Sequence, residues 1–247
     1  MTLTLTIDRW SAWAPGLETN AQWQQWAASG NPVVSRPKNP VPEVPDVSYM
    51  PAMLRRRLSP LARAAMHVAW QCLDDCQQVP LIFSSLYGES DRTFALTEAV
   101  AKQEQLSPAS FSLSVHNAIA GQLSIARNIT AEISCLSPLG AGVVPALLEA
   151  MGILNEGQWQ QALLVFYDRP LPELYQSTVP GPDGMLACAL LVSKSGPANL
   201  TLQMQANEGA ADIQEQESQL LDLIRVLAGG ADSALWHCSG ANWRLAS

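Results

Sequence analysis

The stretch EISCLSPLGAGVVPALLEAM, Glu132 to Met151, limits the possible folds of this 247-residue chain more than any other. A short strand-like segment holding Cys135 runs into a Pro/Gly break, and from about Ala141 to Leu154 apolar residues then surround a helix axis. A helix apolar on every side needs neighbours on every side, so this one is expected at the centre of a layered structure. Strand, sharp turn and buried helix is also how many enzymes present a nucleophile. Cys135 and the turn Gly140-Ala141-Gly142 are therefore the first places to look for chemistry.

Around this stretch the pattern alternates between strand and helix. Leu3 to Ile7 alternates as a strand should, with Trp10 and Trp13 following. Asn31 to Pro51 carries six prolines and reads as an extended loop. Ser59-Pro60 starts a helix expected to run to about Cys76, which places Cys72 in its core face and His67 in a packing or capping position. Pro80 to Ser90 reads as a short buried strand with a Gly turn, Asp91 to Gln105 as a helix, and Ala118 to Ala126 as a small-residue helix just after His116-Asn117. Gln161 to Asp168 is apolar enough for a strand buried on both faces. Gly184 to Lys194 and Ala198 to Ala206 are expected to pair through a turn at Ser195-Gly196-Pro197, and Glu217 to Ala228 to form an amphipathic helix. Alternating strands and helices without repeats predict one layered α/β domain over residues 1–247.

Composition narrows the function. Charged residues make up 15% of the chain, against about 25% in an ordinary soluble domain, so apolar surface is expected to be buried against a partner. The net charge of −8 argues against nucleic-acid binding, which relies on clustered Lys and Arg; the one basic run, Arg55-Arg56-Arg57, suits a solvated or partner-facing edge. Five cysteines, an odd number, fit a reducing cytoplasm. Cys72 and Cys76 lack a second pair at zinc-site spacing, so no metal is expected. No apolar run reaches the roughly 18 residues of a membrane span. The acidic pairs Asp74-Asp75 and Glu215/Glu217 read as solvated helix faces.

RRRLSPLARAAMHVAW, IFSSLYGESDRT, FSLSVHNAIAGQLSIARN and SPLGAGVVPALLEAMGILNEGQWQQALLVFYD occur in the order and spacing of the β-ketoacyl synthase N-terminal half, over about Arg55 to Asp168. Within that family the chain resembles the chain-length-factor-like proteins of aryl polyene biosynthesis. The resemblance implies a thiolase-like (ketosynthase) layered fold, truncated relative to a full synthase: an N-terminal-half-like core over about 1–170 and a reduced C-terminal remainder over about 171–247. It implies a heterodimer with an active ketosynthase or a higher assembly of such heterodimers, work on an acyl carrier protein through that complex, and no cofactor.

A condensing enzyme needs a thiol at the turn and two histidines for decarboxylation. Aligned on the family's helix, the nucleophile position falls on Gly140. After the turn the chain offers only His237, outside either family histidine motif. The resemblance thus implies an inert subunit. Family dimers pair the strand before the turn across their axis, here about 131–137, which makes Ile133, Cys135 and Leu136 interface candidates. Phe111, Leu113, Val115, His116 and Asn117 are candidates to wall the partner's acyl tunnel. Two other readings stay open: a minimal thiol acyltransferase or ketosynthase using Cys135, and a stand-alone carrier-protein binding module.

Overall fold

The computed structural model describes residues 1–31, 43–75, 77–138, 142–179, 181–205, 219–238 and 240–247. The described strands are β1 (Thr2–Trp13), β2 (Leu81–Ser84), β3 (Ile133–Leu136), β4 (Gln161–Asp168), β5 (Leu186–Ser193), β6 (Leu200–Gln205), β7 (Ser233–Cys238) and β8 (Ala241–Ala246). They form one eight-stranded sheet in the order β3-β2-β4-β5-β1-β6-β8-β7. The β3-β2-β4 ladders are parallel and the rest antiparallel. As the continuous apolar run predicts, Ala162 to Tyr167 of β4 are buried on both faces, and so are Ala187 to Ser193 of β5.

The expected pairing of β5 with β6 is not formed, because β1 lies between them. Its Thr6–Trp13 segment pairs with β5 and its Thr2–Leu5 segment with β6. The connection at Gly196 crosses over β1, fastened by the Asn199 side chain, which accepts from Ile7 N at 2.7 Å and donates to Ile7 O at 3.2 Å. Alternation within one strand predicts that strand but says nothing about which neighbour it takes.

Helices cover both faces. On one face α3 (Pro60–Cys72) packs on β5, β1 and β4 and meets α6 (Ala118–Arg127). The N-terminal signal of α3 is realised: Ser59 caps it by accepting from Ala62 N, and Pro60 occupies the first turn. Its end differs from the expectation. The helix stops at Cys72, and Leu73 is extended. Arg127, lying over Trp70, donates to the Leu73 and Asp74 carbonyls and so satisfies groups that further helix would have used. Asp74 is not merely solvated either, since it pairs bidentately with Arg9 at 2.7 and 2.9 Å. Cys76 and Glu215/Glu217 lie outside the described residues.

On the other face α7 (Val143–Asn155) packs on β4 and β2 and touches α9 (Gln219–Leu227), which meets α1 (Asn20–Ala28). Seven residues of α7 are buried, in one apolar cluster with both halves of the sheet, α1 and α9. A stripe at i, i+3, i+4 and i+7, namely Pro145, Leu148, Glu149 and Gly152, stays partly or fully open beside β3, where Ser134 Oγ–H donates to Glu149 Oε1 at 2.7 Å. Helix α4 (Ser90–Ala101) is shorter than expected, with Gln103 beyond it at positive φ, and α5 (Pro108–Ser112) follows. Among the described residues no helix is long and apolar enough to cross a membrane.

Candidate functional site

The parallel strands β3, β2 and β4 all end at one edge of the sheet, where α7 begins, and in open α/β sheets this is where ligand chemistry gathers. The edge is braced by short side chains. Ser84 ends β2, and its hydroxyl donates to Gly142 O, the N-cap of α7, at 3.3 Å. A Cβ on Gly142 would stand 2.1 Å from Ser84 Oγ and 3.0 Å from Pro138 Cγ, so only glycine lets α7 start this close to β2. Gly140, where the sequence resemblance puts the nucleophile position, lies outside the described residues.

Beyond Ser84 the chain turns around a buried carboxylate. Asp168, the last residue of β4, accepts from Ser85 Oγ at 2.8 Å and Leu86 N at 3.0 Å, and Ser85 Oγ in turn accepts from Gly88 N at 2.8 Å. Burial raises the Asp168 carboxyl to about 6 from 3.8, with the bonds from Leu86, Ser85 and Tyr87 pulling the other way. The Ser85–Asp168 contact has the look of a nucleophile against a base, but Ser85 is 1% exposed. No substrate reaches it, and it serves as the brace of the 85–88 turn.

His116 fastens the same edge from α6's side. Its Nε2–H donates to Leu136 O at 2.9 Å, a carbonyl that also accepts from Ser85 N at 3.2 Å. Tyr167 Oη–H donates to His116 O at 3.4 Å. The ring lies against Gly88, where a Cβ would meet Nδ1 at 2.7 Å; Gly88 also has φ +51°, so both packing and backbone require glycine. This is a bridging position between the 85–88 turn, β3 and α6, as opposed to one aimed at a substrate.

The other candidates fall into two groups. Ile133, Cys135 and Leu136 lie on β3, the edge strand, whose only described ladder is to β2. Cys135 packs against the α3/α6 cluster and Leu136 against the α7 cluster. Burial pushes the Cys135 thiol up, whereas a working nucleophile has its thiolate stabilised. Phe111 and Val115 are exposed, Leu113 caps the end of α5 half-buried, and Asn117 precedes α6 exposed and without a side-chain cap. Neither remaining histidine joins them. His237 Nδ1–H donates to Asn242 Oδ1 at 3.0 Å on the far hairpin. His67 sits on α3 between Gln71 and Tyr49; Gln71 Nε2 can only donate, so Nδ1–H donates to Tyr49 Oη, and burial holds the ring below its ordinary pKa.

Among the described residues no three His, Cys, Asp or Glu side chains form a metal-holding group. The sequence pointed to Cys135, His116 and the turn that contains Gly142, and marked Gly88 only as a turn; it did not point to Ser84, Ser85 or Asp168, which build the edge with them. Their signal was modest: polar residues placed flush with the ends of apolar strands, in FSS and YD.

The family model for the β-ketoacyl synthase N-terminal domain matches residues 23–245. No curated protein matches the chain. Among solved structures, a chain in the ketosynthase ApeO in complex with its chain length factor ApeC from Xenorhabdus doucetiae is similar at 25% identity and TM-score 0.84, over 99% of this chain and 100% of that one. A chain of the ishigamide ketosynthase/chain length factor is similar at 12% identity and TM-score 0.62, over 83% of this chain and 68% of that one. A β-ketoacyl synthase from Burkholderia phymatum STM815 follows at 11% and 0.60, over 93% and 71%. The fold is the thiolase-like fold of ketosynthases, carried by a shorter chain than the last two, and with the match over 23–245 the chain belongs to the β-ketoacyl synthase family.

Proposed function

We propose that this chain is a catalytically inactive β-ketoacyl synthase-like subunit, a chain length factor, that forms a heterodimer with an active ketosynthase and shapes its acyl tunnel. The setting is aryl polyene or related polyketide- and fatty-acid-type biosynthesis in the cytoplasm, with an acyl carrier protein as partner through the complex and no cofactor. In this proposal residues 1–170 stand for the N-terminal half of a full synthase and 171–247 for a reduced remainder.

The open edge of β3 carries the proposal. A strand with one ladder offers unpaired main-chain groups that a partner strand can take up. Apolar side chains stand exposed on the same part of the chain: Ile133 at 39%, Val115 at 45%, Phe111 at 64% and Ile125 at 82%. Pairing there buries them, which also suits a chain with 15% charged residues. Phe111, Leu113 and Val115 would then line the partner's channel, with His116 and Asn117 setting the start of α6 beneath them. The raised Cys135 pKa supports inactivity. The structural similarity to complexes of a ketosynthase with a chain length factor supports the pairing.

Co-expression with an active ketosynthase, followed by size exclusion, tests it. Co-elution as a heterodimer or a multiple of it is expected. Separate elution, with the lone chain a stable monomer that binds carrier protein, would overturn it in favour of a stand-alone module.

A further inference from the structure

Beside the 85–88 turn, on its α3 and α4 side, a cleft of about 490 Å³ separates α4 and the segment 105–110 from the start of α3. None of Phe111, Leu113, Val115 or His116 lines it. Its α4 wall is the stripe Arg92, Ala95, Leu96 and Ala99, spaced i, i+3, i+4 and i+7, yet no residue of α4 is buried. An apolar helical stripe normally faces a core. Here it faces empty space, with Pro60, Leu61 and Leu106 on the other sides.

The charged groups around the cleft cancel. Glu89, its side chain 4% exposed, pairs with Arg92 Nε at 2.7 Å and accepts from Ser59 Oγ at 2.5 Å. Arg92 also donates to Arg57 O at 2.8 Å. Asp91 pairs with Arg169 at 2.5 Å. Two anions and two cations leave no net charge to be met by an ionic ligand, while the buried Arg169 Nε–H, which has no partner among the described residues, is left to donate to a neutral oxygen. What remains is a largely aliphatic wall without aromatic faces, of ligand size, with Gln105, Ser107 and Ser110 among the uncharged polar groups that can bond a neutral oxygen.

We propose that this cleft is a binding site for an uncharged aliphatic chain, seated on Leu61, Leu96, Ala99 and Leu106. The site belongs to the single chain and does not depend on the partner proposed above. Because α5 leads directly into the 111–117 segment, an occupied cleft would also fix that segment from below.

The test uses the full chain alone, titrated by calorimetry with 1-hexanol, 1-octanol, 1-decanol and decanoate. Saturable one-site binding of the alcohols is expected, gaining up to about fourfold per methylene until the cleft is filled, with decanoate weaker than decanol. Ala99→Phe fills the cleft and is expected to weaken decanol binding at least tenfold while the chain keeps its unfolding midpoint. Leu106→Gln, on a surface loop where folding is not at stake, is expected to weaken it as well, and Val100→Ser, outside the cleft, to leave it unchanged. Absence of saturable alcohol binding, decanoate binding tighter than decanol, or equal binding by Ala99→Phe and Leu106→Gln would overturn the proposal. Co-elution with a ketosynthase is a separate readout, so failure of either proposal leaves the other standing.

Discussion

Asp168 offers a quantitative handle on the β2–β4 edge. Its carboxyl titrates near 6 in the fold against about 3.9 in an unfolded chain. The gap of about 2 units corresponds to ~3 kcal/mol at 1.36 kcal/mol per unit. The folded chain therefore holds more protons than the unfolded one between about pH 4 and pH 6, and stability falls as pH rises through that window. Below pH 4 the protonated carboxyl is favoured; above pH 6 the charge sits in a largely buried site, compensated in part by Ser85, Leu86 and Tyr87. Asp168→Asn removes the titration. Urea unfolding of wild type and variant at pH 4, 5, 6 and 7.5, followed by tryptophan fluorescence, isolates it from the other carboxylates. Relative to the variant, wild type is expected to lose ~2 kcal/mol between pH 4 and pH 7.5, most of it before pH 6.5. A difference that stays flat, or wild type gaining on the variant with rising pH, would show that the hydrogen bonds outweigh burial and would refute the reasoning.

Gly142→Ala is expected to cost about 1–3 kcal/mol in the same assay, as overpacking does, because the new methyl would stand 2.1 Å from Ser84 Oγ. Adding Ser84→Ala should recover a large part of that loss, and simple additivity of the two changes would disprove the contact. Ile125→Glu, at a side chain 82% exposed, should shift the lone chain's stability by no more than about 0.5 kcal/mol. Its co-elution with a ketosynthase should nevertheless drop sharply, and an unaffected complex would remove α6 from the interface.

Much of the fold was legible because it rests on local periodicity. Gln161 to Asp168 reads as a doubly buried strand and is one; Ser59-Pro60 reads as a helix start and caps α3. What failed rests on contacts distant in sequence. Nothing near Ser195 to Pro197 indicates that β1, some 190 residues earlier, will lie between β5 and β6. Nor does the helical pattern after Cys72 reveal that Arg127 will take over the Leu73 carbonyl. The functional edge was half legible for the same reason. Cys135 and His116 stand out as residue types, whereas Ser85, Gly88 and Asp168 acquire meaning only when the ends of β2 and β4 meet.

Whether the chain carries an acyl group decides between an inert subunit and an enzyme. The measurement is intact mass of both subunits after the reconstituted complex is charged with an acyl thioester. An adduct on the ketosynthase alone, with elongation unchanged when this chain carries Cys135→Ala, is the predicted result. A stoichiometric adduct on this chain, lost in Cys135→Ala together with elongation, would contradict it.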